Sequence, residues 1–159
     1  MCLVVDSDKE FSVAENDIKC YKVVLGNWTN SNFAKYSTPY QYMSVCIGEH
    51  YKASEEPDFR YYYKDFSRDI WPKMLRGGAY HSFLTLEDAI VEAEYVDKYN
   101  NPWAQDVHVV ECTIPAGAKY IEGTYENYGN REVPSIASTE IIYNAVVESH
   151  VIEAKLNEV

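Results

Sequence analysis

The stretch "GGAYHSFLTLEDAIVEAEYV", residues 77–96, passes from a turn through a strand into a helix. Gly77-Gly78 interrupts the chain before it, because residues without a Cβ enter turn conformations that others avoid. The short apolar run at 79–84 predicts a strand and carries the polar pair His81-Ser82 in its middle. Thr85, with Asp88 three residues on, forms a capping signature that opens a helix. Leu86, Ala89, Ile90, Ala93 and Val96 fall on one helical face, while Glu87, Asp88, Glu92 and Asp97 are expected in water. Glu87 and Asp88 also suit the positive end of the helix dipole. The spacing predicts a helix over 86–99, ended before Asn100-Asn101-Pro102. His81-Ser82 is thus either part of a site at a strand-to-helix junction or the edge of a packed core.

Outward from this point the chain is rich in strand signals. Residues 17–26, 41–51, 106–114 and 118–123 read as strands, and 137–156 as one long bent strand or two. In 106–114, Val107, Val109 and Glu111 share one face and His108, Val110 and Cys112 the other. Segments 27–40 and 52–78 are polar and aromatic without a clean period, and read as long loops or insertions. Many strands around one clear helix, with no regular βαβ alternation, predict a single α+β domain spanning 1–159. Its core would be a curved, mostly antiparallel sheet with the main helix at 86–99.

Composition bounds the function. A chain of 159 residues with 47% hydrophobic side chains supports a real core, burying about two thirds of its unfolded surface. No apolar run approaches the roughly 20 residues that span a bilayer, and "MCLVVDSDKE" lacks a basic n-region, so a cytoplasmic protein is expected. Cys2, Cys46 and Cys112 sit in apolar runs and no two of the four cysteines form a C-x-x-C pair, which predicts reduced core thiols. His50, His81, His108 and His150 are scattered, so no metal site is expected. The formal charge of −11 disfavours direct binding to a phosphate backbone, which needs clustered Lys and Arg. The sequence carries no P-loop, no G-x-S-x-G, no H-E-x-x-H and no dinucleotide glycine fingerprint.

Several motifs resemble known groups. "MCLVV", "DIKCYKVV", "YHSFLTLEDA", "ECTIPAGAKYIEG" and "ASTEII" resemble a family of small uncharacterised proteins of tailed phages and gut bacteria. The likeness covers most of the chain apart from 27–40 and 52–76. It implies an accessory role and brings no activity with it. A more remote likeness is to the ADP-ribosyltransferase-like fold, whose motifs follow a similar order. Here Tyr21-Lys22 lies on the first strand, His81-Ser82 before the helix, and Ser138-Thr139-Glu140 near the last strand. That resemblance implies NAD as cofactor, with Glu140 stabilising an oxocarbenium-like centre and His81 beside it as the catalytic residues. Lys22, Tyr21, Tyr80, Ser82, Ser138 and Thr139 would hold the nucleotide. Three departures stand against it: Lys22 replaces the usual Arg or His, His81-Ser82 is only a partial second motif, and Ser138 stands two residues before the glutamate where a Glu or Gln is usual.

Two functions follow. The first is a binding protein for a host protein or a small nucleotide, suggested by acidity and by the tyrosine-rich segments "RYYYKDF", "STPYQY" and "GTYENYG". The second is a divergent transferase using NAD. They differ in one geometric requirement: the transferase needs Lys22, His81 and Glu140 in a single cleft.

Overall fold

The computed structural model describes residues 3–26, 35–39, 43–61, 72–102, 104–126 and 132–150. Two long strands organise them. β3 (Ile18–Leu25) and β10 (Val107–Ile114) pair antiparallel along their whole length, from Leu25↔Val107 to Ile18↔Ile114. Both are rich in β-branched residues, and both alternate between two buried faces. Val23, Leu25, Val107 and Val109 point to one core; Cys20, Val24, Val110, Cys112 and Ile114 point to the other. Cys20 stands directly opposite Cys112, and both are free thiols with no exposure to solvent.

The sheet grows outward from this ladder. On one side β13 (Glu140–His150) pairs with β10, and the short β6 (His50–Lys52) edges β13. Register shifts in the β10–β13 pair, at Val109/Val110 and Glu111/Cys112, mark bulges that bend the sheet. On the other side follow β9 (Tyr80–Phe83), β12 (Glu132–Ser138), β11 (Lys119–Glu126), β1 (Leu3–Asp6), β8 (Pro72–Gly77) and β7 (Asp58–Tyr61). β2 (Ser12–Val13) pairs with β11, and the β4–β5 hairpin (Lys35–Ser37, Ser44–Cys46) pairs with β3 through β4. Every pairing among these strands is antiparallel.

One helix, α1 (Leu86–Tyr99), covers the first face. Thr85 caps it, its Oγ1 accepting from Asp88 N at 3.2 Å. Ala89, Ala93 and Val96 meet Val23, Leu25, Phe83, Val107 and Val109. Glu92, expected in water, is instead 4% exposed on this buried face. The opposite face is closed by Tyr36 and Val45 of the β4–β5 hairpin and by Ile136, Ile141 and Tyr143. His108 is satisfied within it: Nε2 donates to the Gly26 carbonyl at 3.0 Å, leaving Nδ1 to accept from Ser149 Oγ at 2.7 Å.

The α+β class expected from the sequence is corrected by this arrangement. Thirteen strands and a single helix among the described residues make the protein nearer all-β, with no helical layer. Segments read as loops contribute strands: β4 lies within 27–40, and β7 and β8 lie within 52–78. The expected strand at 41–51 divides at Gly48, whose φ of 89° turns the chain between β5 and β6. These short pieces hold their shape through neighbours distant in sequence, so their own patterns carry little signal. Residues 27–34, 40–42, 62–71, 127–131 and 151–159 lie outside the described residues, and with them parts of the tyrosine-rich segments and the end of the 137–156 strand.

The glycine pair at the head of the quoted stretch has unequal roles. Gly78 has φ +78°, and a Cβ there would lie 2.3 Å from the Glu56 carbonyl oxygen. Gly77 has open space around its Cβ position and no unusual φ. Gly78→Ala is therefore expected to cost about 1–3 kcal/mol from overpacking and a strained turn. Gly77→Ala should stay within about 0.5 kcal/mol. Urea midpoints of the two variants check this, and equal losses would contradict the close approach of Glu56.

Candidate ligand-binding site

β3 and β9 touch through one ladder position, Tyr21↔Phe83, and then separate. The separation leaves Lys22 and Val23 facing Tyr80 and His81 across a cavity. Lys22 Nζ donates to the His81 carbonyl, so a side chain reaches an acceptor that a continued ladder would have engaged. The remaining walls come from distant segments. Thr38, Pro39 and Met43 reach in from around the β4–β5 hairpin, Leu75, Arg76 and Gly77 from β8, and Glu92 from α1. The cavity offers about 100 Å³ to the centres of water-sized molecules. Since roughly 10–15 Å³ of such space holds one water, there is room for several, or for the end group of a larger ligand.

The electrostatics of this wall are unusual. Burial holds the Lys22 amine below the ordinary lysine range, and the groups that act on it electrostatically are the thiols of Cys112 and Cys20. Lys22 meets no carboxylate among the described residues. Burial, and then the charge of Lys22, pushes His81 down to about 3, so its imidazole is neutral at pH 7. The ring packs edge-on against Phe83 and Tyr125, with centroids at 5.4 and 5.7 Å, and neither ring nitrogen has a hydrogen-bond partner among the described residues. Burial also raises Tyr80 above the ordinary phenol value, keeping its hydroxyl protonated. Arg76, an exposed residue, adds a permanent cation to the lining.

The residues singled out by sequence divide into three groups. Lys22, Tyr80 and His81 come together at the cavity. Ser82 and Ser138 lie behind it in the core; Ser82 sits against the Cys20 thiol, and Ser138 is opposite Tyr80 in the β9–β12 ladder. Tyr21 packs on the helix-side face, away from Cys20 and Val24. Thr139 and Glu140 belong to the turn into β13. There Thr139 N bonds the Lys119 carbonyl at 2.9 Å, and Glu140 pairs with His50 at 3.0 Å and Lys52 at 3.6 Å. Glu140 is not among the residues lining the cavity that holds Lys22 and His81.

Arg76, Met43 and Glu92 were not evident as site residues from the sequence. For Glu92 a signal existed. Residues 89, 92, 93 and 96 follow the i, i+3, i+4, i+7 spacing of a buried stripe, and only the charge argued for water. Arg76 and Met43 arrive through strand order, which no local pattern reports. Among the described residues no three His, Cys, Asp or Glu side chains gather to hold a metal, and no helix is long and apolar enough to cross a membrane. Compared with family models, with curated proteins and with solved structures, the chain matches none.

The depressed His81 ties stability to pH. Below its ordinary value of 6.5 the unfolded chain takes up a proton that the fold, with its pKa of about 3, refuses. Stability contributed by neutral His81 is therefore complete above 6.5 and is lost as pH falls towards 3. Between pH 7 and pH 5 wild type should lose about 1–2 kcal/mol from this group. In His81→Leu the loss should be smaller by that amount. Urea midpoints at the two pH values measure it, and identical losses in both proteins would contradict a buried neutral imidazole.

Proposed function

We propose that this protein acts by binding, and that its ligand is a small anionic molecule of the nucleotide class seated between β3 and β9. The observation that carries this reading is Lys22: it lines a cavity, its amine is bonded to a main-chain carbonyl, and among the described residues no ion pair joins it to a carboxylate, Glu92 of the same lining included. Burying such a group costs stability, and a fold that consists only of packing would fill the space instead. Arg76 supplies the charge for a phosphate or carboxylate, in the fork geometry that suits both. Tyr80, Phe83, Pro39 and Met43 supply apolar surface for the remainder of the ligand.

The setting we attach to this activity is an accessory role in a phage or mobile element, supported by the motif resemblance alone. A cytoplasmic location accords with free Cys20, Cys46 and Cys112, since a reducing compartment keeps thiols unpaired. The net charge of −11 argues for a small ligand over a nucleic-acid chain.

A thermal-shift titration with NAD, ADP-ribose and cyclic nucleotides tests the reading. A ligand at about one hundred times its dissociation constant stabilises the fold by about 2.7 kcal/mol, a clear rise in melting temperature. Arg76→Gln should weaken binding by about tenfold, from the lost charge-assisted contact, and leave the unliganded melting temperature near wild type. If no nucleotide moves the melting temperature of wild type, the nucleotide assignment is wrong and a host-protein partner becomes the reading to pursue.

A further inference from the structure

We propose that Lys22 forms an imine with the carbonyl carbon of an aldehyde or ketone that also carries a phosphate or carboxylate, bound in the cavity between β3 and β9. This rests on the binding reading of the same cavity and names the chemistry its ligand would undergo. Lysine is a nucleophile only as the free base, and desolvation without a counter-charge favours that form. Lys22 meets both conditions. Its neighbours Cys20 and Cys112 are thiols that burial keeps protonated, and burial lowers the amine's pKa; Glu92 lines the same cavity, but no ion pair joins it to Lys22 among the described residues. Lys22 lines a space large enough to admit a reacting group.

The surroundings match the needs of each step. The Lys22 lone pair attacks the carbonyl carbon, and a proton passes from nitrogen to the carbonyl oxygen to give a carbinolamine. The C–O bond then breaks, the oxygen leaves as water with the second proton from nitrogen, and a C=N bond remains. No oxidant or reductant takes part. Tyr80, a protonated phenol on the same wall, is placed to donate to the departing oxygen. When the imine is protonated, its N–H keeps the donor that Lys22 now offers to the His81 carbonyl. Arg76 on the same lining fits the anionic end of the ligand, which sets the substrate class as a charged small carbonyl compound.

Lys73 provides an internal contrast. It is 4% exposed, its amine donates to the Lys9 carbonyl at 2.6 Å and lies 4.4 Å from the centre of the Phe59 ring, and it lines no part of this cavity. Burial alone should therefore not produce reactivity; burial beside an open space should. Lys19 and Lys52, with side chains 63% and 71% exposed, represent ordinary solvated amines.

The test uses pyridoxal 5′-phosphate, an aldehyde with a phosphate, at pH 7.5, followed by borohydride reduction and peptide mass mapping of the full chain. The expected result is labelling of Lys22 at least tenfold faster than of Lys19, Lys52 or Lys73. Labelling of Lys22 no faster than of Lys19 and Lys52 overturns the proposal. Lys22→Met, close in shape and without the amine, should lose the fast site and keep the slow ones; a fast adduct that persists in that variant also overturns it. The comparison runs inside wild type, so it stands even where the variant folds poorly. Pyridoxine 5′-phosphate, the alcohol without the carbonyl, separates the two readings. If it raises the melting temperature while Lys22 stays unlabelled by the aldehyde, imine formation fails and binding stands. If neither compound acts, both fail for this ligand class.

Discussion

The full-length pairing of β3 with β10 is the interaction on which the other elements depend. Eight consecutive registered positions, from Leu25↔Val107 to Ile18↔Ile114, create a ribbon that contributes buried apolar side chains to a core on each face. A ribbon of this kind must be covered twice. α1 covers one face with Ala89, Ala93 and Val96, and the β4–β5 hairpin with β13 covers the other through Tyr36, Val45 and Tyr143. The small side chains on the helix let it lie close to the valines of the ladder. The large ring of Tyr143 fills the wider space beneath the bent sheet, against Tyr51 at 5.5 Å. The two halves of the fold therefore answer to one strand pair, and the site sits where one edge of that pair stops being matched.

That mismatch explains why polar chemistry collects at Lys22. A strand that continues to pair satisfies its neighbour's carbonyls with main-chain amides. Beyond Tyr21↔Phe83 the partner strand diverges, and the His81 carbonyl takes a side-chain amine in place of an amide. The same divergence leaves the His81 ring beside the rings of Phe83 and Tyr125, without a polar partner among the described residues. The polar groups at the cavity are thus a consequence of how β9 is shared between β3 and β12. Its ladder with β12 runs over four positions, and its contact with β3 over one.

The sequence was legible where a signal is local and long. The helix Leu86–Tyr99 declares itself through Thr85, its acidic first turn and a five-residue apolar stripe, and it is found at those bounds. The alternation of Val107 to Cys112 is found as the division between two cores. Illegible were features made by the assembly. The three-residue strands β4, β5 and β6 are too short to show a period, and the irregular aromatic pattern of 52–78 concealed β8 and the edge strand β7. At the site, Lys22, Tyr80 and His81 come together because their strands adjoin. Glu140 follows Ser138-Thr139 into a different edge, where His50 and Lys52 compensate its charge. Motif order alone held no information on which edge that would be.

The described walls of the cavity are drawn from residues 22–92, yet β3 and β9 both still lack a partner strand at that point in the chain. β3 needs β10, in which Val110, the partner of Lys22, lies 88 positions later, and β9 needs β12 at 132–138. On a ribosome Lys22 emerges before the strands that bury it, and until they follow it stands in solvent. Only after β12 and β13 have left the exit tunnel does the sheet close around it. The surroundings of this residue thus depend on strands that follow it far along the chain, and a fragment that carries every lining side chain but stops before residue 107 would lack both β10 and β12.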